Sequence, residues 1–228
     1  YGTKEMLEIF GEQKKVDYQL QIEAAAALSQ SEINLIPKSI AKDIARAARS
    51  GKITAKRIKQ LEAKSDHDTA ALVESLAERC KKESRPWIHY GLTSNDLVDT
   101  SNSMQMRDAI KIIQPKVGKL ALLLSKNAVK YKVLPAVGRT HGQHASIISF
   151  GLKFANWASE MATHLERLDE IKKRILICKT LGVVGTGSLM GKDAVRVQEL
   201  VAKKLSLFPA KVTTQIIPRE RYAEYIFQ

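Results

Sequence analysis

Two stretches of this chain, each longer than 30 residues, carry apolar side chains at helical spacing, and no other feature narrows the fold as much. The first begins at Ser94, with Asp96 and Asp99 in its opening turns, where acids favour the helix dipole. Pro115 is placed to bend or break it. The second runs from about Ser146 to Lys179 through Phe150, Leu152, Phe154, Trp157, Met161, Leu165, Leu168, Ile171 and Ile175, a rhythm that keeps one face apolar. Long helices joined by a loop pack antiparallel in bundles. Sparse Gly (12), Pro (6) and aromatics (6%) point the same way, since strands and turns would need more of them. The expected fold is all-α.

Upstream, Thr3 to Ser29 reads as one helix ending in an alanine run. Pro37 suits the first turn of a second helix, which Gly51 closes. Thr54 to Lys64 and His67 to Lys82 make two more. Glu83 to Thr93, with Pro86 and Gly91, interrupts the pattern, which predicts a small N-terminal helical domain at residues 1–92 and the first part of a long bundle at 93–228. Tyr131 to Ala145 reads as loop and Gly182 to Gly191 as a glycine-rich turn. Helices follow near Asp193 to Leu205 and from about Pro218. The ending Tyr225-Ile226-Phe227-Gln228 stops inside an amphipathic pattern without a cap, and the opening at Tyr1 lacks Met, so the chain is expected to be a piece of a longer one.

Lys and Arg (37) outnumber Asp and Glu (24), giving a formal charge of +13 that attracts polyanions and phosphorylated acids. Nine of the cations lie between Lys38 and Lys64, opposed by Asp43 and Glu62. A solvated helical face with counter-charges outside the chain explains this cluster better than a nucleic-acid stripe. Cys80 and Cys178 have no paired spacing, which suits a reducing cytoplasm and excludes a disulfide framework. No signal peptide is visible. No uncharged run reaches about 18 residues, so nothing is expected to span a membrane.

Chemistry concentrates in two segments. Gly138-Arg139-Thr140-His141-Gly142-Gln143-His144-Ala145 sets two histidines and an arginine between glycines. His89-Tyr90-Gly91-Leu92-Thr93-Ser94-Asn95-Asp96 brings a histidine, an aromatic ring and small hydroxyl and amide groups to a helix start. Glycine admits a ligand close to the backbone, imidazole moves protons near neutral pH, and helix-start N–H groups bind anions. Together they suit an acid–base enzyme acting on an anionic substrate. The cluster from Gly182 to Asp193 fails as a Walker loop because Thr186 and Asp193 stand where Gly and Ser or Thr are required. It fails as a dinucleotide fingerprint because of Met190. His141 and His144 alone among the five histidines are close in sequence, with no third ligand nearby, so no metal is expected. His164 reads as a surface residue. His67, at a helix start between Asp66 and Asp68, reads equally as a cap neighbour or a ligand group.

These two segments resemble the adenylosuccinate lyases, within the fumarase/aspartase superfamily. His89 to Thr100 is similar to H-[YF]-G-x-T-S-x-D-[IV]-x-D-T, and Gly138 to Ala145 is similar to G-R-T-H-x-Q-H-A, with Phe150-Gly151 following. Tyr1 with Glu5-Met6, His67-Asp68, Gly182 to Thr186, and Thr214-Gln215 with Arg219, Ala223, Glu224 and Tyr225 agree in order. The resemblance implies β-elimination of fumarate from adenylosuccinate, giving AMP, and from the succinyl-carboxamide ribotide of purine synthesis. It implies His141 as general acid, Thr93 and Ser94 as a carboxylate-binding pair, and His67 and Asp68 as a substrate-contacting pair. Gln215 becomes a substrate-binding amide, and Tyr1 the second half of an Arg-Tyr pair that meets the nucleotide. Arg139 and Arg219 order loops. A homotetramer with sites shared between subunits is implied, and no metal or organic cofactor.

The chain departs from the family at Asp66, where a basic residue is usual, and at Ser146, where the motif is usually followed by proline. The catalytic serine loop, G-S-S-x-M-P-x-K-x-N-P, is not found, so no general base is assigned. Argininosuccinate lyase and carboxymuconate cycloisomerase types use similar loops and are the nearest competitors. A basic helical nucleic-acid binder is a more distant one.

Overall fold

The alanines at 24–27 let neighbouring backbones approach closely, and the structure, a computed structural model describing residues 2–228, builds its N-terminal part around them. The helix that carries them, α2 (Glu12–Glu32), is buried on nearly every side from Val16 to Ser31, as a helix enclosed by others must be. Gly11 separates it from α1 (Lys4–Ile9). The single helix expected here is therefore two, because Gly11 turns out of helical geometry (φ −71°, ψ 153°), at a place where a Cβ would sit 3.1 Å from the Leu7 carbonyl oxygen. Pro37 is the N-cap of α3 (Lys38–Ala48) rather than a residue of its first turn. α4 (Ala55–Ser65) and α5 (Asp68–Ala77) follow. The expected helix to Lys82 ends early, because side chains of α3 claim the backbone beyond it. Arg46 Nη2 donates to Arg79 O (3.0 Å), and Asp43 Oδ2 accepts from Lys81 N (2.8 Å). Residues Lys82–Trp87 wind instead as a 3₁₀ turn containing Pro86.

α6 (Ser94–Lys130) continues through Pro115. The stretch read as loop then forms a hairpin, β1 (Pro135–Thr140) against β2 (Gln143–Ser149), before α7 (Gly151–Ile175). Its reason is the turn pair His141-Gly142, with φ of 52° and 75°, the positive-φ geometry that matches strand twist in two-residue hairpins. β3 (Ile177–Cys178), α8 (Ala194–Leu205), β4 (Phe208–Pro209) and α9 (Glu220–Phe227) complete the order, with β3 and β4 parallel. Helix dominates and the all-α class holds.

The chain forms two compact units, one of residues up to Asp108 with Lys173–Ala223, the other of Ala109–Lys172 with Glu224–Gln228. In the first, α2 packs on α3 and α8, and α4 on α5. Ile22, Ile44, Leu72, Leu76, Leu97 and Met104 are fully buried there. In the second, Tyr131, Phe150, Phe154 and Trp157 form a chain of ring contacts at 5.4–5.8 Å. Gln114 and Asp169 share a 2.9 Å hydrogen bond, and Lys172 Nζ lies 2.7 Å from both. Gly151 starts α7 against the Ala128 carbonyl, leaving no room for a side chain. The two helices therefore run antiparallel.

Part of the basic cluster finds its counter-charges inside the chain, contrary to expectation. Arg57 pairs with Glu78, Lys59 with Glu12 (2.6 Å) and Arg46 with Asp43 (2.6 Å). Among the described residues no helix is long and apolar enough to cross a membrane.

Candidate active site

The start of α6 is fastened by a carboxylate, and the fastening leaves its hydroxyls free. Asp96 Oδ2 accepts from Thr93 N (3.0 Å) and from Gly182 N (2.9 Å), while Oδ1 meets Lys179 Nζ. Both side chains are wholly buried. Asp96 therefore does more than favour the helix dipole: it joins the turn before α6 to the glycine-rich turn. Among the described residues, neither the Thr93 nor the Ser94 hydroxyl takes part in capping.

That glycine-rich turn is pressed onto the next segment. Gly185, at φ 77°, lies so close to the backbone at 213–214 that a Cβ would stand 2.6 Å from Thr214 O. Gln215, exposed, follows directly. Arg219 Nη1 reaches Asp99 Oδ1 (2.6 Å), and Asp99 Oδ2 accepts from Ile217 N (2.9 Å). Both acids near the start of α6 thus hold later segments.

An open cleft of about 340 Å³ lies beside the α6 start, with His67, Thr69, His89, Thr93 and Ser94 on its walls and Ala70, Val73 and Leu92 between them. His67 is the N-cap of α5: its Nδ1 accepts from Ala70 N (3.3 Å), which puts the proton of the neutral ring on Nε2. The two readings of His67 are therefore compatible, a cap through one nitrogen and a ligand group through the other. Asp68 points its Oδ1 to Thr69 N (2.6 Å) and Thr69 Oγ1 (3.1 Å) and is not on the cleft wall.

His89 enters the cleft, although in the sequence it reads only as an approach to the helix start. Its Nδ1 lies 2.6 Å from Glu23 Oε1, and its backbone N–H donates to Glu23 Oε2 (3.1 Å). Burial opposes charge on this ring, but the hydrogen bond and charge of Glu23, with Asp96 beyond, outweigh it and raise the His89 pKa above the usual value. Glu23 carries no signal in the sequence, because nothing in its own neighbourhood marks a partner 66 residues away. Lys179 gives none either, because it falls at the end of an apolar-periodic stretch.

His141 stands in the second unit, exposed at the hairpin tip. Arg139 Nη2 and His144 Nε2 lie 3.2 Å apart across the strands, beside a register irregularity at Gly138/Arg139. A cleft of about 490 Å³ follows the same hairpin past Arg139, Thr140 and Lys153. Tyr1 lies outside the described residues. His67, Thr93 and Ser94 are thus brought together around one cleft, and Gln215 directly follows the backbone at 213–214 on which Gly185 rests. Among the described residues no three His, Cys, Asp or Glu side chains converge as a metal site.

Residues 2–228 match the family model described as Lyase. The chain is 42% identical over 227 residues to adenylosuccinate lyase of Methanocaldococcus jannaschii, covering all of this chain and 49% of that protein. It is 39% identical over 228 residues to adenylosuccinate lyase of Archaeoglobus fulgidus, covering 99% and 50%. The chain spans about half the length of the curated relatives it matches. Among solved structures, a fumarate lyase from Mesorhizobium sp. BNC1 superposes with a TM-score of 0.92 at 29% identity, over all of this chain and 54% of that one. The β-carboxy-cis,cis-muconate cycloisomerase of Acinetobacter calcoaceticus sp. ADP1 gives 0.90 at 30% identity, over 98% and 53%.

Proposed function

The chain belongs to the lyase family, and from that premise we propose that it supplies part of the active site of an adenylosuccinate lyase, a carbon–nitrogen lyase of purine biosynthesis. The reaction is β-elimination of fumarate from adenylosuccinate, giving AMP, and from the succinyl-carboxamide ribotide. The carrying observation is the cleft in which His67, His89, Thr93 and Ser94 meet at the start of α6. Unengaged hydroxyls beside helix-start N–H groups suit a carboxylate. The adenylosuccinate lyases among its relatives favour this substrate.

The chemical difficulty is charge. A C–H next to a carboxylate loses its proton, and the extra negative charge must be met by groups already in place. Thr93 and Ser94 hold the carboxylate, His67 contacts substrate from the cleft, Asp68 acts with it in this reading although its Oδ1 is engaged by Thr69, and Gln215 binds through its amide. Tyr1 meets the nucleotide. The departing nitrogen needs a proton, and His141 delivers it. No general base is assigned within these residues. Domains at residues 1–92 and 93–228, a homotetramer that assembles each site from several subunits, and a cytoplasmic location belong to the same reading. Small anionic substrates, rather than nucleic acid or membrane, are its partners.

A second reading, another lyase of the superfamily acting on a different dicarboxylate, is favoured by the fumarate lyase and cycloisomerase structural neighbours. Full-length protein supplied separately with adenylosuccinate, the succinyl ribotide, argininosuccinate and carboxymuconate decides between them. Fumarate release from the two purine substrates is expected. Turnover of either of the others alone would replace the first reading by the second.

A further inference from the structure

The His89–Gly91 segment is held in a conformation that its sequence alone would not choose. His89 has φ 60°, a left-handed geometry that a residue with a Cβ adopts only where its surroundings hold it. Three contacts hold it. Glu23 takes both the ring and the backbone N–H of His89, Gln30 Nε2 donates to Tyr90 O (2.7 Å), and Met190 lies against Gly91, where a Cβ would be 2.8 Å from its Cγ. Glu23 and Gln30 are seven residues apart, two helical turns along one face of α2. Glu23 is only 2% exposed. A carboxylate in such a place is costly unless a cation meets it, and a merely structural anchor for two N–H groups would need no charge.

We propose that Glu23 is a positioning residue: from inside α2 it turns His89 Nδ1 inward, leaves Nε2 for the cleft, and keeps a positive charge on that wall for the anionic substrate. This rests on the lyase reading for its substrate, but not for its geometry. The charged and titratable groups that face His89 are Glu23 from α2, Asp96 from α6, itself engaged by Lys179, and His67 on the shared cleft wall. With the Glu23 charge removed, burial governs the ring, and it becomes neutral at lower pH. An amide at position 23 keeps one acceptor oxygen for Nδ1–H and turns its NH2 toward the His89 backbone, so the ring stays anchored through Nδ1 while one backbone hydrogen bond and the charge are lost.

The test is Glu23→Gln in the full-length protein, with KM and kcat for fumarate release followed across the pH range together with an NMR titration of 13C-labelled His89. The His89 midpoint should fall by about one pH unit or more. KM at pH about 8 should rise about tenfold, because above its midpoint a ring loses a factor of about ten in charged fraction for each pH unit by which that midpoint falls. At pH about 5.5 KM should return to the wild-type value, with kcat little changed throughout. A variant whose KM profile superimposes on wild type, or whose loss is equal at every pH, would overturn the proposal. The titration of wild-type protein judges it without any substitution: a His89 midpoint at or below that of free imidazole refutes it. Failure of wild-type protein to release fumarate strikes the lyase reading instead, and the titration then still decides whether Glu23 holds the charge on His89.

Discussion

His141 shows how far a single side chain can be read before its surroundings are known. Its residue type and its neighbours in Gly138 to Ala145 mark it as a proton carrier, whereas its backbone role was hidden: it is the first residue of a two-residue turn, with φ 52°. Asparagine, aspartate and glycine fill that position more readily than histidine, so its occurrence there motivates a test of function rather than of folding. His141→Ala in the full-length protein should lower kcat by about 10²–10⁴, the usual contribution of a positioned acid, while equilibrium binding of substrate persists. Near wild-type turnover would remove His141 from the mechanism. His67, Thr93 and Ser94 were legible for a related reason, since a helix start has a recognisable vocabulary of capping residues. Glu23 and Lys179 were not, because the value of a buried charge depends on a partner 66 or 83 residues away in sequence, and periodicity carries no such information.

At the scale of elements, the helices were legible and the hairpin was not. α6 and α7 repeat their apolar positions over many turns, so each turn confirms the last. β1 and β2 are six and seven residues long, and their alternation is masked by Gly138, Arg139 and the histidines. Nor did sequence show what fastens α6 at its start, the buried pair of Asp96 with Lys179 that also takes the Gly182 N–H. Removing one member of a buried pair leaves a charge without compensation, at a cost of about 3–5 kcal/mol. Lys179→Met should therefore lower stability by about that amount in denaturant unfolding. Asp96→Asn with Lys179→Met should recover part of the loss, since no lone charge remains. An additive double variant would mean that the two side chains act independently and that the glycine-rich turn is held by its backbone alone.

For the whole molecule, exposure is the informative quantity. The first unit builds a core around α2 and exposes apolar side chains mainly in its loops and ends, such as Leu189 and Val212, whereas the second, much smaller, leaves many in water, among them Leu122, Leu123, Val133, Ile147 and Trp157, with Ile147 81% and Leu123 57% exposed. Large exposed apolar areas mark contact surfaces, and helices that repeat such residues over several turns can bury them against copies of themselves. A bundle shared between subunits is what the family resemblance implies for this part of the chain. The exposed residues give that assembly a physical motive, because each hidden Å² of apolar surface contributes about 25 cal/mol. In the proposed tetramer, charge placed on these exposed apolar positions opposes assembly. Full-length protein carrying Leu123→Asp with Ile147→Asp should sediment as a smaller species and lose turnover, while its first unit keeps its helical circular dichroism. Mixing it with His141→Ala protein separates the two causes of inactivity. Subunits that fail to assemble cannot complement the proton-transfer variant, whereas variants damaged only within their own sites can restore activity in mixed oligomers. A double-Asp variant that remains tetrameric and active would show that the apolar faces of α6 and β2 lie outside the subunit contacts.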